Sequence, residues 1–200
     1  MEAVRDYELK DFFSYVIEVL ERLDIPYMVV GDFAAILYGE PRMTIDVDIV
    51  VDITLAHVEP FASSFPIPDY YASAEGIRDS LLRRYPFNVI QPATGAKVDL
   101  VPLPIDSFTR LAFQRRQRLV YDEDRSRSAT FITPEDIVLA KLFAFRETGS
   151  DKHLRDARGV LMMQWGQLDL DWVRRGARPA GLLEQFEELI ETVRQKLGET

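Results

Sequence analysis

The sequence predicts an α/β (α+β) chain in which a small mixed sheet flanked by helices precedes a C-terminal helical lobe. Short apolar segments with strand-like alternation lie before residue 122, whereas helical periodicity continues to residue 197. A polar segment, residues 122–128, separates the two kinds of pattern. We therefore expect a mixed core over residues 1–128 and a helical lobe over residues 129–200.

The composition narrows the class of protein. Hydrophobic residues make up 47% and charged residues 28% of the 200 residues, which is typical of a globular chain. The absence of cysteine excludes a disulfide framework, a thiolate zinc site and a cysteine nucleophile. A net charge of −9 disfavours generic nucleic-acid binding. The sequence has no apolar run of ~18 residues and begins with an acidic segment, so we expect a cytoplasmic protein without membrane contact.

Apolar periodicity and turn residues predict the elements in order. The first helix ends before Ile25-Pro26, because the residue before proline disfavours the α region. A helix near residue 134 starts at Thr133 as N-cap, with proline next and acids in the first turn. The predicted helices are Tyr7–Leu23, Phe33–Tyr38 (closed by Gly39), Thr54–Ser64, Ser73–Arg84, Asp106–Gln117, Pro134–Glu147, His153–Gln164, Asp171–Arg175 and Leu182–Leu197. The predicted strands are Tyr27–Val30, Ile45–Asp52, Phe87–Gln91, Lys97–Leu103 and Arg118–Tyr121.

Two acids lie two residues apart in the predicted strand Ile45–Asp52. Because side chains alternate along a strand, Asp46 and Asp48 point to one face with Cα atoms about 6.6 Å apart. Like charges this close repel each other, so we expect a metal ion or a proton between them. Mg²⁺ prefers carboxylate oxygens together with substrate phosphates. The alternative is an edge strand with a solvated acidic face, and the spacing alone favours neither.

A strand–turn–helix unit precedes this strand. Gly31 allows the backbone to approach a ligand closely, and the N-terminus of the following helix is a natural phosphate site. The alternative is that Gly31 only makes a tight turn and that Asp32 caps the helix.

Two segments, Val30–Ala35 and Tyr38–Asp48, together resemble the nucleotidyltransferase superfamily of DNA polymerase β type. They are most similar to the bacterial minimal and AbiEii-type nucleotidyltransferases, whose pattern is Gly-Gly or Gly-Ser, a short helix, then Gly-x-x-Arg-x-Thr-x-Asp-x-Asp. Asp99 fits the third acid of the family, on a neighbouring strand. Lys141, followed by Arg155-Asp156, is similar to the helical motif of the AbiEii type.

The resemblance implies the nucleotidyltransferase fold and a two-metal Mg²⁺ site. The reaction would move a nucleoside monophosphate from a nucleoside triphosphate to an acceptor hydroxyl of tRNA, a protein or a small molecule. It also implies a possible partner protein, as in toxin–antitoxin pairs. The metal-binding and catalytic residues would be Asp46, Asp48 and Asp99, and the nucleotide-binding residues would be Gly31, Asp32, Arg42, Thr44, Lys141 and Asp156.

For several of these residues the sequence also allows a structural role. Asp99 fits an ordinary polar position on a half-buried strand, and Arg42 fits a surface turn. Lys141 lies on an apolar helix, where its ammonium must either reach solvent or enter a cleft. Asp156 fits an ion pair on a helix surface. Two arginine-rich runs, at residues 110–127 and 174–178, are either solvated faces or contacts for an RNA or nucleotide tail.

Asp32 departs from the family pattern, because the family has glycine or serine at this position, facing the triphosphate. A carboxylate there repels phosphate. The side chain would turn away as an N-cap, bind a second metal, or mark a chain that has lost nucleotide transfer. The alternative function is therefore a binding module on the nucleotidyltransferase fold. A metal-dependent phosphohydrolase that uses the same carboxylates is a third hypothesis.

Overall fold

The chain forms two compact units in a computed structural model, which describes residues 2–40 and 46–198 and the side chains from residue 10 onward. The first unit comprises Met1–Gly31 and Thr44–Phe131, and the second comprises Asp32–Met43 and Ile132–Thr200. The division into domains at residues 1–128 and 129–200 stays a prediction, because compactness does not show which part folds alone.

The strands of the first unit form one mixed sheet, which confirms the predicted α/β class. They are β1 (Tyr27–Val30), β2 (Asp46–Val51), β3 (Phe87–Gln91), β4 (Ala96–Pro102), β5 (Gln117–Asp122) and β6 (Arg127–Phe131). Their order across the described sheet is β3-β4-β2-β1-β6-β5. The pairs β2–β4 and β1–β6 are parallel, and the pairs β1–β2, β3–β4 and β5–β6 are antiparallel. β1 and β3 have the predicted bounds.

Helices accompany the sheet in the first unit. They are α1 (Glu2–Arg22), α3 (Val58–Ser63), α4 (Ala74–Arg83) and α5 (Ser107–Arg115), with a 3₁₀ turn at Leu55–His57. The predicted single helix over residues 54–64 is therefore two shorter pieces. In the described part of the chain, no helix combines the length and the apolar character that crossing a membrane requires.

The core of the first unit lies between the sheet and α1. Alternate residues of β2, namely Val47, Ile49 and Val51, have no exposed surface, as the period of a strand predicts. The apolar stripe of α1 is buried as well, and it comprises Phe12, Phe13, Val16, Val19 and Leu20. Burial of one face of β2 leaves Asp46 and Asp48 on the other face.

The second unit is helical. It contains α2 (Gly31–Tyr38), α6 (Pro134–Thr148), α7 (Asp151–Met163), α8 (Leu170–Ala177), a 3₁₀ turn (Arg178–Ala180) and α9 (Leu183–Leu197). The first residue of α2, Gly31, belongs to the first unit. α6 packs against α7 and α8, and α9 packs against the same two helices. The predicted start of α6 is confirmed, since the Thr133 hydroxyl accepts a hydrogen bond from the Asp136 amide.

The helix α2 ends directly before Gly39, as predicted, but Gly39 lacks the left-handed backbone of a typical cap glycine. It is not among the glycines with positive φ. A Cβ at Gly39 would lie 2.7 Å from the Ala35 carbonyl oxygen and 3.0 Å from the Val160 amide nitrogen. The residue is therefore small because the end of α2 packs closely against the backbone of α7.

Candidate active site

The register of the central strands places the predicted acids side by side. In the parallel pair β2–β4, Asp48 is the partner of Asp99, and Asp46 is the partner of Lys97. Neighbouring strands are about 4.8 Å apart, and paired residues point to the same face. Asp46, Asp48 and Asp99 thus share one face of the sheet, and we call them the acidic row. Their roles in metal binding and catalysis stay predictions.

Gly31 lies against the acidic row. Its φ of +69° is in the left-handed region, and a Cβ added to it would lie 2.2 Å from Oδ2 of Asp48. Any other residue would therefore be strained in its backbone and would collide with the Asp48 carboxylate. Both the positive φ and the contact with Asp48 therefore require glycine at this position. The sequence alone also allowed the interpretation that Gly31 only makes a tight turn.

Lys97 is a member of this site that the sequence prediction missed. Its Nζ lies 2.6 Å from Oδ2 of Asp99. The hydrogen bond to Asp99 raises the pKa of the Lys97 ammonium, and the charges of Asp46 and Asp48 raise it further. The signal was present in the sequence, because a residue two positions before Asp99 on a strand must share its face.

The donor chemistry of the acidic row fits a divalent cation. Carboxylate oxygens are hard ligands of the kind that Mg²⁺ takes, and the Lys97 ammonium already stands among them as a positive charge. Within the described residues, no three His, Cys, Asp or Glu side chains are placed closely enough to enclose a metal ion. One oxygen of Asp99 is instead bound to Lys97.

A second charged cluster lies in the second unit, around Lys141. The Lys141 side chain is only 5% exposed, and its Nζ lies 2.5 Å from Oδ1 of Asp32 and 2.7 Å from Oδ2 of Asp156. A buried ammonium needs such partners, because an unpaired buried charge is very costly. Lys141 therefore enters the protein interior, and Asp156, 15 positions away along the chain, pairs with it across two helices.

Asp32 binds two lysines. Its Oδ1 accepts from Lys141, and its Oδ2 lies 2.6 Å from Nζ of Lys152 on α7. Lys152 did not enter the predicted nucleotide-binding set, because nothing local links a residue of α7 to the start of α2. The two lysines and the two carboxylates of Asp32 and Asp156 have a formal charge of zero, and we call these four residues the lysine cluster.

His153 lies beside the lysine cluster and is half-buried. Burial lowers the pKa of its imidazole, and the Lys141 ammonium lowers it further. Its Nδ1 is buried and, among the described residues, has no hydrogen-bond partner. The neutral form is therefore the one that this environment favours.

A cleft of about 360 Å³ opens next to the lysine cluster in the second unit. Its lining includes two cationic side chains, those of Lys152 and Arg155, and two anionic ones, those of Glu40 and Asp156. The volume is within the range of small-ligand sites. The mixed charges suit a ligand that carries both signs or a phosphate with a polar group attached.

Two of the predicted nucleotide-binding residues, Arg42 and Thr44, lie outside the described residues. Part of the first arginine-rich run is paired within the first unit, where Arg118 contacts Glu21 at 2.6 Å and Arg127 contacts Asp11 at 2.6 Å. These pairs compensate part of the positive charge of that stretch, and a contact with RNA stays a prediction.

We expect Gly31→Ala to destabilise the first unit more than Gly95→Ala. Both glycines have positive φ, so each substitution strains the backbone by about 1 kcal/mol. A Cβ at Gly95 meets nothing within 4 Å, whereas one at Gly31 meets the Asp48 carboxylate. Urea unfolding should show a total loss of about 2–3 kcal/mol for Gly31→Ala. Equal losses for the two variants would contradict the close approach of Gly31 to Asp48.

Comparison with known proteins agrees with this geometry at the level of the fold. No protein-family model matches the sequence, and no curated protein matches it significantly. An antigenic nucleotidyltransferase-like protein from Paracoccidioides brasiliensis has a similar structure, with a TM-score of 0.56 and 20% identity over 94% of this chain and 92% of that one. The antibiotic-resistance factor ANT(2'')-Ia gives a TM-score of 0.52 and 11% identity over 92% and 98%. The chain thus has the nucleotidyltransferase fold.

Proposed function

We propose that the chain is a nucleotidyltransferase that transfers a nucleoside monophosphate from a nucleoside triphosphate to an acceptor hydroxyl. The observation that carries the proposal is the in-register pairing of Asp48 with Asp99, beside a glycine that the Asp48 carboxylate requires. The nucleotidyltransferase fold supports it. Paired carboxylates on a solvent-accessible sheet face are suited to phosphate chemistry with a divalent cation.

In the proposed reaction the acceptor oxygen forms a bond to the α-phosphorus. The bond from that phosphorus to the bridging oxygen of the β-phosphate breaks, and pyrophosphate leaves. Asp99 is the proposed acceptor of the hydroxyl proton. Gly31 leaves the backbone at the β1–α2 turn open to close approach by a phosphate.

Asp46, Asp48 and Asp99 are the residues that would hold Mg²⁺. When bound, the ion would supply positive charge to the phosphate oxygens and help the attacking hydroxyl to ionise. The protein's own part is to hold three carboxylates on one sheet face through the register of β2 and β4.

The AbiEii-type assignment is the finer part of this proposal, and with it a role in a toxin–antitoxin pair with a partner protein. The contact of Lys141 with Asp156 supports the AbiEii type, because these two residues belong to the helical motif on which that resemblance depends. The proposed role of the lysines in the second unit is to bind phosphate oxygens.

We expect Asp48→Asn to abolish transfer and Asp52→Asn to leave it intact. Asp52 is a matched control, since it lies on the same chain segment but beyond the end of β2 and is exposed. The measurement is the transfer of label from each α-³²P nucleoside triphosphate, with Mg²⁺, to RNA, protein and small-molecule fractions. Loss of the Asp48 carboxylate should lower the rate about 100-fold or more.

The same assay separates the proposal from the phosphohydrolase hypothesis. Release of free nucleoside monophosphate, with no labelled acceptor in any fraction, would favour a hydrolase. Full transfer by Asp48→Asn would show that the acidic row is not the active site.

A second candidate function is a nucleotidyltransferase-fold binding module with weakened transfer. The observation that favours it is that both oxygens of Asp32 are bound to lysines. The carboxylate thereby uses the two cations that would otherwise attract phosphate. Binding of a polyphosphate by this cluster would require Asp32 to release them.

We expect Asp32→Asn to bind tripolyphosphate about tenfold more tightly than the wild type, because the lysine cluster changes from zero to +1. Asp156 still pairs with Lys141 in this variant, so the fold should be kept. Asp151→Asn is the matched control, since it removes an exposed carboxylate from the start of α7. Calorimetric titration without metal measures the affinities. Equal affinities for the wild type and Asp32→Asn would exclude Asp32 as the cause of weak binding.

A further inference from the structure

We propose that Lys97 is a counter-ion of the acidic row in the metal-free protein, held by Asp99, and that it lowers the affinity of this row for a divalent cation. The inference rests on the proposed function, because the cation site is the one proposed there. It assigns Lys97 a positioning role, since the lysine acts through Asp99 and the other two carboxylates.

The register gives Lys97 a fixed place in the row. It is the β-sheet partner of Asp46, and it lies two residues before Asp99 on the same face of β4. The ammonium contacts Oδ2 of Asp99 at 2.6 Å. In the described part of the chain, the cation that pairs with Asp99 is Lys97. The pair is therefore part of the row and not a distant surface contact.

The charges make this pair a competitor of a metal ion. The acidic row contributes three carboxylates on one face, and the Lys97 ammonium pairs with that of Asp99. An ion that uses Oδ2 of Asp99 must take that oxygen from the ammonium, and a nearby ammonium repels any divalent cation. Lys97 thus stabilises the metal-free row and weakens cation binding at the same time.

The exposure of the two side chains allows this exchange. The side chain of Lys97 is 39% exposed and that of Asp99 is 23% exposed. An ammonium on a long, flexible stem at this exposure can move into water without opening the core. An exposed ion pair of this kind adds little to stability, so its removal should leave the fold intact.

The test is the affinity of the full chain for Mn²⁺, measured from the signal of free Mn²⁺ by electron paramagnetic resonance. We expect Lys97→Met to lower the Kd about five- to tenfold and Lys97→Arg to keep it near the wild-type value. Lys196→Met, which removes an exposed charge at the end of α9, should leave the Kd unchanged. An unchanged or higher Kd for Lys97→Met would overturn the role of Lys97.

Asp48→Asn separates the two levels of the proposal. If this variant loses Mn²⁺ binding while Lys97→Met binds like the wild type, the cation site stands and only the role of Lys97 is wrong. If Asp48→Asn binds Mn²⁺ like the wild type, the cation site itself is wrong, and the role of Lys97 falls with it.

A measurement on the wild-type chain covers the case in which Lys97→Met does not fold. In protein labelled with ¹³C-lysine, the Cε signal of Lys97 should shift when Mg²⁺ saturates the protein, because the ammonium leaves Asp99. A signal that stays unchanged at saturation would overturn the proposal.

Discussion

The parallel pairing of β2 with β4 is the constraint on which the site depends. It brings Asp48 next to Asp99 and Asp46 next to Lys97, although these residues are far apart in the sequence. A slip of one residue would move the carboxylates of one strand to the buried face, and burial of Val47 and Ile49 on that face prevents such a slip. Gly31 depends instead on the register of β1 with β2, in which Val30 pairs with Asp48, because the Asp48 carboxylate fills the space that a side chain at position 31 would need. The buried face of the sheet therefore determines the chemistry of the exposed one.

In both units, lysine ammonium groups compensate the negative charge of aspartate carboxylates. In the first unit Lys97 binds Asp99, and in the second unit Lys141 and Lys152 bind Asp32. Each pair has a different environment, since Lys141 is almost fully buried whereas Lys97 is partly exposed. A buried pair resists the loss of one partner, and an exposed pair exchanges partners readily. For this reason we assign the exchange with a metal ion to Lys97 and regard Lys141 as the fixed cation of its cluster.

Local pattern predicted most of the fold, and the exceptions depend on distant contacts. Strand β1 was predicted to its ends because its apolar residues lie between proline and glycine. β6 was missed, since its residues include an arginine, a serine and a threonine and its parallel partner is β1, about a hundred positions earlier. In the same way, alternation alone predicted the shared face of Asp46 and Asp48, whereas Asp99 entered through the family resemblance. Lys97, beside the acidic row, and Lys152, in the lysine cluster, were missed because exposed lysines are common on any surface.

The most direct test of the account is to locate a bound cation on the wild-type chain. Substoichiometric Mn²⁺ broadens the nuclear magnetic resonance signals of the amides closest to it. The account predicts the strongest broadening at Gly31, Asp48 and Asp99, and little effect at Val120 on β5, which lies at the far edge of the sheet. Broadening centred elsewhere, for example on the acidic residues of α9, would contradict the claim that the acidic row is the metal site.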